Sequence, residues 1–292
     1  MFLGDFMLLV NDFLDYEIID ASCGMKYERW GKYYLLRPDP QVIWNNGNLE
    51  EKYSGKIDAV YHRSNKGGGY WENLKKIPSS WSVNYKDMTF NIKQMGFKHT
   101  GLFPEQASNW NFMIDKIKNS NRPIKVLNLF AYTGGASVAC LSAGASVVHV
   151  DSSRGMVDWC KENVKSSGLA DKSIRYLVDD VVKFVKREIR RGNKYDAIIM
   201  DPPSYGKGAN GEIWSLESDL YNLINLCQEL LSNKPICMMV NSYSGLSPTI
   251  LEDILKLTDK KNGKIYSYEI GLKITSGNLI LPAGITGIIE YE

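Results

Sequence analysis

The apolar positions follow two different patterns along the chain. From about residue 124 onward, short apolar runs alternate with stretches whose apolar residues recur every three or four positions. The short runs predict strands at 125–130, 146–151, 173–178, 195–200 and 236–241, and the periodic stretches predict helices near 135–143, 153–167, 181–191 and 216–232. Such alternation builds a parallel sheet joined by right-handed crossovers. Two longer β-like runs, 264–274 and 285–292, close the chain with Leu281-Pro282-Ala283-Gly284 between them, which predicts an antiparallel pair added to that sheet. Residues 1–98 read differently. They are rich in Tyr, Trp, Gly and Asn, and short runs such as Lys32-Tyr33-Tyr34-Leu35-Leu36 are broken by Arg37-Pro38-Asp39-Pro40. Lys66-Gly67-Gly68-Gly69-Tyr70-Trp71 reads as a turn beside aromatics, and 84–98 as extended chain. The division expected is therefore a small β-rich accessory region at 1–98 and a sheet-and-helix domain at 99–292.

Composition limits the possibilities further. With 292 residues and 44% apolar content the chain can bury a real core. No window approaches the roughly 20 apolar residues of a membrane helix, and Met1-Phe2-Leu3-Gly4-Asp5 lacks the basic start of a secretion signal, so a cytoplasmic location is expected. The five cysteines, Cys23, Cys140, Cys160, Cys227 and Cys237, form no C-x-x-C pair and read as reduced, mostly buried thiols. His62, His99 and His149 have no metal-ligand spacing, and no metal site is expected. A net charge of +2 does not by itself imply a nucleic-acid partner. The basic cluster Lys183, Lys186, Arg187, Arg190 and Arg191 lies opposite Val181, Val182, Phe184, Val185 and Ile189 on one amphipathic helix, and reads as a solvated face.

The candidate chemistry sits where predicted strands end. After the first strand, Asn128-Leu129-Phe130-Ala131-Tyr132-Thr133-Gly134-Gly135 forms a glycine-containing turn that opens a helix, where the backbone can approach a ligand and amides can meet a carboxylate. The G-x-G-x-x-G fingerprint of a dinucleotide site is absent. The second strand ends in Asp151-Ser152, about 20 residues on, where a carboxylate can accept both hydroxyls of a ribose. The third ends in Asp179-Asp180, either of which can face an adenine amino group while the other caps the next helix. Asp180 is the preferred adenine contact. The fourth delivers Asp201-Pro202-Pro203-Ser204-Tyr205, in which two prolines stiffen the turn and the acid and phenol are expected to project into a crevice.

These residues resemble the class I S-adenosylmethionine-dependent methyltransferases related to the bacterial 23S ribosomal RNA cytosine-5 and guanine-N7 enzymes, over about residues 99–250. Thr100-Gly101-Leu102-Phe103-Pro104-Glu105-Gln106-Ala107-Ser108-Asn109-Trp110 stands where that family has a Thr-Gly-x-Phe-x-Asp-Gln-Arg-like motif, with Ala107 in place of the arginine. The resemblance implies an α/β fold: a Rossmann-like, mostly parallel methyltransferase sheet with an antiparallel C-terminal strand and a small β-rich N-terminal region. It implies S-adenosyl-L-methionine as cofactor, contacted by Phe103, Gln106, Asn109, Tyr132, Thr133, Gly134, Gly135, Asp151, Ser152, Asp179, Asp180 and Asp201. Asp201, Pro202, Pro203 and Tyr205 would then form the catalytic turn.

The cytosine-5 members place a nucleophilic cysteine in a Ser-Cys-Ser turn, whereas this chain has Asn241-Ser242-Tyr243-Ser244-Gly245. Direct methyl transfer without a cysteine nucleophile follows, with a base in ribosomal RNA as the leading acceptor. A small molecule, a protein side chain, and a non-catalytic cofactor- or RNA-binding role are the alternatives. Trp30, Trp44 and Trp71 offer stacking surfaces if they are not core.

Overall fold

The computed structural model describes residues 7–64, 68–207, 211–243 and 245–291. Lys66 and Gly67 of the expected turn, the first six residues and Ser244 lie outside that set. The chain clusters into two units. One comprises Leu9–Ala107 with Gly271–Pro282, the other Met1–Leu8, Ser108–Ile270 and Ala283–Glu292. The later insertion of 271–282 into the first unit has a backbone cause, since the amides of Thr275 and Ser276 donate to the carbonyls of Ile18 and Ile19.

The first unit is built on strands. β1 (Met7–Val10) begins the described chain and is an edge strand of the large eight-stranded sheet. A five-stranded sheet follows from β2 (Tyr16–Ser22), β3 (Met25–Trp30), β4 (Tyr33–Pro38), β5 (Ala59–Arg63) and β6 (Gly69–Asn73), in that spatial order, with the short α1 (Leu49–Lys52) between β4 and β5. β7 (Ser80–Tyr85) and β8 (Met88–Lys93) form a separate hairpin.

Buried Glu28 organises this unit. Its carboxylate accepts from Tyr16 Oη at 2.6 Å, from Arg37 Nε at 2.6 Å and from Arg37 Nη2 at 2.9 Å. Burial opposes the charge, but Arg37 and then Lys26 hold the carboxyl down at about 2. Arg37 also lies 5.2 Å from the face of Trp30, which is fully buried. Trp30 is core and offers no stacking surface. Trp44 and Trp71 are half-buried, and each indole N–H is tied to a backbone carbonyl, that of Ala21 and that of Met95.

The second unit holds α2 (Ala107–Asn119), β9 (Lys125–Leu129), α3 (Gly135–Ser142), β10 (Ser146–Asp151), α4 (Arg154–Ser166), β11 (Ile174–Val178), α5 (Val181–Arg190) and β12 (Ala197–Met200). The small ribbon β13 (Tyr205–Lys207) and β14 (Ile213–Ser215) comes next, then α6 (Leu216–Gln228), β15 (Cys237–Ser242), α7 (Pro248–Thr258), β16 (Lys264–Lys273) and β17 (Ile280–Glu290). The large sheet runs β1-β16-β17-β15-β12-β9-β10-β11. β15, β12, β9, β10 and β11 are parallel, and β17 is antiparallel to β15. β12, buried at all four positions, shows why the strands read as continuous apolar runs: helices cover both faces of a parallel sheet.

The segment 281–284, expected between the last two β-like runs, is instead part of β17. Proline is tolerated there because pairing of β17 with β15 begins only at Ile285, so no ladder bond on that side needs the Pro282 amide. On α5, Phe184 and Val185 are buried while Lys183, Lys186, Arg190 and Arg191 are exposed, the solvated face expected.

Candidate functional site

The register places the candidate carboxylates in one row. Leu129 is paired with Val150 on one side and with Met200 on the other, so Phe130, Asp151 and Asp201 are the next residues at one edge of the sheet. Chain order reverses there, because β10 and β11 lie to one side of β9 while β12 and β15 lie to the other. A ligand crevice forms at such a switch point, outside the carboxyl ends of the strands.

The turn after β9 is conformationally unusual. Phe130, Tyr132 and Gly134 have φ values of +52°, +49° and +85°, three left-handed positions in five residues. For the two non-glycine residues this costs roughly 1–2 kcal/mol each. Neighbouring groups hold the turn in place. Ala131 N donates to Val150 O at 3.0 Å, Tyr132 N to Asp151 Oδ2 at 2.9 Å, and Asn163 Nδ2 to Thr133 O at 2.9 Å.

The two glycines also answer a need that the sequence does not disclose. A Cβ at Gly134 would stand 2.2 Å from Cys160 Sγ, and one at Gly135 would stand 2.7 Å from Trp110 Cζ2. Their small size therefore admits Cys160 and Trp110, in addition to any ligand. Beneath the turn runs a buried polar chain: Asn128 Nδ2 donates to Ser137 Oγ at 2.9 Å, and His149 Nδ1 lies 3.0 Å from that oxygen and 3.4 Å from Cys160 Sγ. Burial lowers His149 to about 3, so the ring is neutral.

Asp151 is held at both oxygens, by Tyr132 N at 2.9 Å and Ser153 N at 2.8 Å. Burial raises its pKa and these two amides oppose that shift. Ser152 beside it is exposed. Asp180 is the N-cap of α5, its Oδ1 accepting from Lys183 N at 2.8 Å, while Asp179 pairs with Arg187. The cap belongs to the residue preferred for adenine, and among the described residues Oδ2 of Asp180 accepts no hydrogen bond.

At the end of β12 the stiff turn is secured by the ribbon that follows. Trp214 Nε1 donates to Pro203 O at 2.7 Å, Leu216 N donates to Ser204 O at 2.9 Å, and the Trp214 ring packs 5.0 Å from Phe130. Tyr205 opens β13, pairs with Ser215 and is 56% exposed. Asp201 instead meets Tyr243, whose hydroxyl donates to Oδ2 at 3.3 Å.

The side chain of Asn109 sits in a buried polar network. It is 2% exposed, donates to Asn241 Oδ1 at 3.0 Å and Thr286 Oγ1 at 2.8 Å, and accepts from Tyr268 Oη at 3.0 Å. This amide ties α2 to β15, β16 and β17. Phe103 and Gln106 belong to the first unit, where Phe103 lies 5.4 Å from the His99 ring and Gln106 is buried. Sequence reasoning missed Tyr243 as a partner of Asp201, and Ser137 with Cys160 as the support of the turn. The only local sign was the tyrosine in the Asn241-Ser242-Tyr243 run.

The residues at this edge fit a nucleoside-bearing cofactor. A braced carboxylate at Asp151 suits a ribose diol, Oδ2 of Asp180 suits an amino group, and the strained turn presents backbone. Cys140, Cys160, Cys227 and Cys237 are buried, and burial pushes the Cys237 thiol up to about 12. Among the described residues, no three or more His, Cys, Asp or Glu side chains are grouped to hold a metal, and no helix is long and apolar enough to cross a membrane.

A family model described as S-adenosylmethionine-dependent methyltransferase matches residues 57–256. Ribosomal RNA large subunit methyltransferase K/L of Syntrophotalea carbinolica is 28% identical over 189 residues, which is 64% of this chain and 26% of that protein. Ribosomal RNA large subunit methyltransferase I of Erwinia tasmaniensis is 36% identical over 128 residues, 44% of this chain and 32% of that protein. The chain thus spans about a quarter to a third of the length of these relatives. The crystal structure of a SAM-dependent methyltransferase from Agrobacterium tumefaciens is 31% identical with a TM-score of 0.93, covering 98% of this chain and 93% of that one. A second structure, from Streptococcus mutans, shares the fold at 18% identity and a TM-score of 0.73, covering 95% and 76%. With the match spanning well over half its residues and the carboxylate row at the sheet's switch point, this chain belongs to the S-adenosylmethionine-dependent methyltransferase family.

Proposed function

We propose that this protein transfers a methyl group directly to a nitrogen or oxygen of a base in RNA, ribosomal RNA being the leading acceptor. The observation that carries the reading is the row of Asp151 and Asp201 at one edge of the parallel sheet, beside the strained turn 130–134, with Asp180 capping α5 just past β11. The RNA acceptor rests on the names of the sequence relatives. A cytoplasmic location accords with it.

When bound, S-adenosylmethionine supplies an electrophilic methyl group on a sulfonium sulfur. Asp151 would accept both ribose hydroxyls, and Asp180 Oδ2 would accept from the adenine amino group. Tyr132, Thr133, Gly134 and Gly135 would present backbone to the methionine end. Asp201 would accept a hydrogen bond from the target group, fixing its lone pair toward the methyl, and Tyr243 would orient that carboxylate. Tyr205, exposed on the ribbon, would meet the incoming base. No cysteine is needed as nucleophile, since nitrogen and oxygen acceptors carry their own lone pair.

The test is to incubate the protein with isotope-labelled S-adenosylmethionine and RNA from a strain deleted for it, then digest to nucleosides and weigh them. A labelled N- or O-methyl nucleoside is expected. Label confined to carbon 5 of a pyrimidine, or found only in protein or small metabolites, overturns the acceptor assignment.

A further inference from the structure

The first unit contains an open cavity of about 570 Å³ that the methyl-transfer reading does not use. Three tyrosines form one of its walls. Tyr27 lies between Tyr34, with ring centroids 5.8 Å apart and planes inclined 26°, and Tyr53, at 4.3 Å and 29°. Tyr27 is 2% exposed and joins the apolar cluster of Leu36, Leu49, Ile57 and Val60, so the stack is anchored in core. Tyr34 and Tyr53 are half-buried. Burial raises the Tyr27 pKa, which keeps that phenol neutral.

The rim is basic. Lys32, Lys56 and Lys75 line the cavity with one acid, Asp58, which is already engaged by Tyr34 N at 2.7 Å and by Lys75 Nζ at 2.8 Å. Lys32 and Lys56 are exposed and form no ion pair with any described residue. The local balance is thus positive around an aromatic wall, although the whole chain carries only +2. A planar, uncharged group beside an anion matches this arrangement, and an unpaired nucleotide of RNA has both: a base that extends a ring stack and a phosphate that meets ammonium groups. The volume is in the range of small-ligand sites and admits one nucleotide.

We propose that this cavity is an RNA-anchoring subsite, in which one unpaired nucleotide stacks on Tyr34 or Tyr53 and its phosphates meet Lys32 and Lys56. This rests on the reading that the acceptor is RNA. It adds a binding determinant outside the cofactor-binding unit, built on a tyrosine stack anchored in the core of the first unit.

The test uses the full chain and a 5′-fluorescein-labelled single-stranded RNA decamer of mixed sequence, followed by anisotropy at several salt concentrations. Lys32→Glu and Lys56→Glu should each weaken binding about five- to tenfold and lower the log–log salt slope by about one. Tyr34→Leu should weaken it about tenfold or more, whereas Tyr34→Phe, which keeps the ring, should bind like the parent. Thermal melts establish that the variants are folded, and calorimetry with S-adenosylhomocysteine establishes that the cofactor site is unchanged. Equal RNA binding by parent and all variants overturns the subsite and leaves the RNA acceptor standing. A parent that binds S-adenosylhomocysteine but no RNA at all overturns both.

Discussion

The hydroxyl of Tyr243 donates to Oδ2 of Asp201 across 3.3 Å, joining the residue just past β15 to the one just past β12. The bond is longer than a usual hydroxyl–carboxylate contact, so it orients the acid more than it neutralises it. The tyrosine thereby supports the carboxylate at the end of the neighbouring strand. Asp201→Ala should lower kcat about a hundredfold or more once the acceptor is in hand, the scale of a lost positioned polar group. Tyr243→Phe should lower it roughly three- to thirtyfold with little change in cofactor affinity. Equal losses in the two variants would give the phenol a direct role in the reaction.

Cofactor binding should depend on Asp151 more than on its neighbours. Its two oxygens are braced by the Tyr132 and Ser153 amides, so removing it loosens the turn as well as the ribose contact. Asp151→Ala should weaken S-adenosylhomocysteine binding roughly tenfold to a hundredfold or more, equivalent to about 1.5–3 kcal/mol. Calorimetry on the folded variant decides this, and an unchanged affinity removes Asp151 from the site.

How much of this was legible depended on whether the signal was local. The parallel strands read correctly because β12, Ala-Ile-Ile-Met, is buried on both faces and apolar throughout. The placement of Asp151, Asp179 and Asp201 at or just past the ends of β10, β11 and β12 was legible because the end of a strand is a sequence position. The network of Asn109 could not be read, since its partners Asn241, Tyr268 and Thr286 lie 132, 159 and 177 residues away. The exposure of Tyr205 was hidden because the ribbon that carries it outward has strands of only three residues. Pro282 and Gly284 read as a break before the last β-like run, and the register with β15 shows why β17 tolerates the proline.

The pH dependence of stability should carry a mark of Glu105. Burial raises this carboxyl from 4.5 to about 7, with Lys26 and Arg37 pulling the other way and Glu28 adding to the rise. A raised acid binds more protons folded than unfolded between those values, so its contribution is full below about 4.5 and is lost as pH climbs through 7. His99, lowered to about 4 by burial and by Arg37, acts in the opposite sense over the range between 6.5 and 4. A parent–variant difference cancels it. The stability of Glu105→Gln relative to the parent should therefore rise by roughly 2–3 kcal/mol from pH 4.5 to 7.5. Urea unfolding at the two pH values checks the sign, and a flat difference means that Glu105 ionises normally.

Gly134 tests whether the strained turn is held by packing. A side chain there must adopt φ +85°, costing roughly 1–2 kcal/mol, and its Cβ would lie 2.2 Å from Cys160 Sγ, which adds roughly 1–3 kcal/mol of overpacking. Gly134→Ala should thus destabilise by roughly 2–5 kcal/mol and impair S-adenosylhomocysteine binding. Removing the sulfur relieves only part of this, because the Cys160 Cβ is itself 3.0 Å from the new methyl and the φ strain is untouched. Cys160→Ala alone should cost about 1 kcal/mol for lost burial. The double variant should be more stable than the sum of the two singles by roughly 1–2 kcal/mol, which is the coupling expected of residues in direct contact. Strict additivity in urea unfolding would mean that the cost at Gly134 is conformational alone, and that Cys160 does not set the position of the turn.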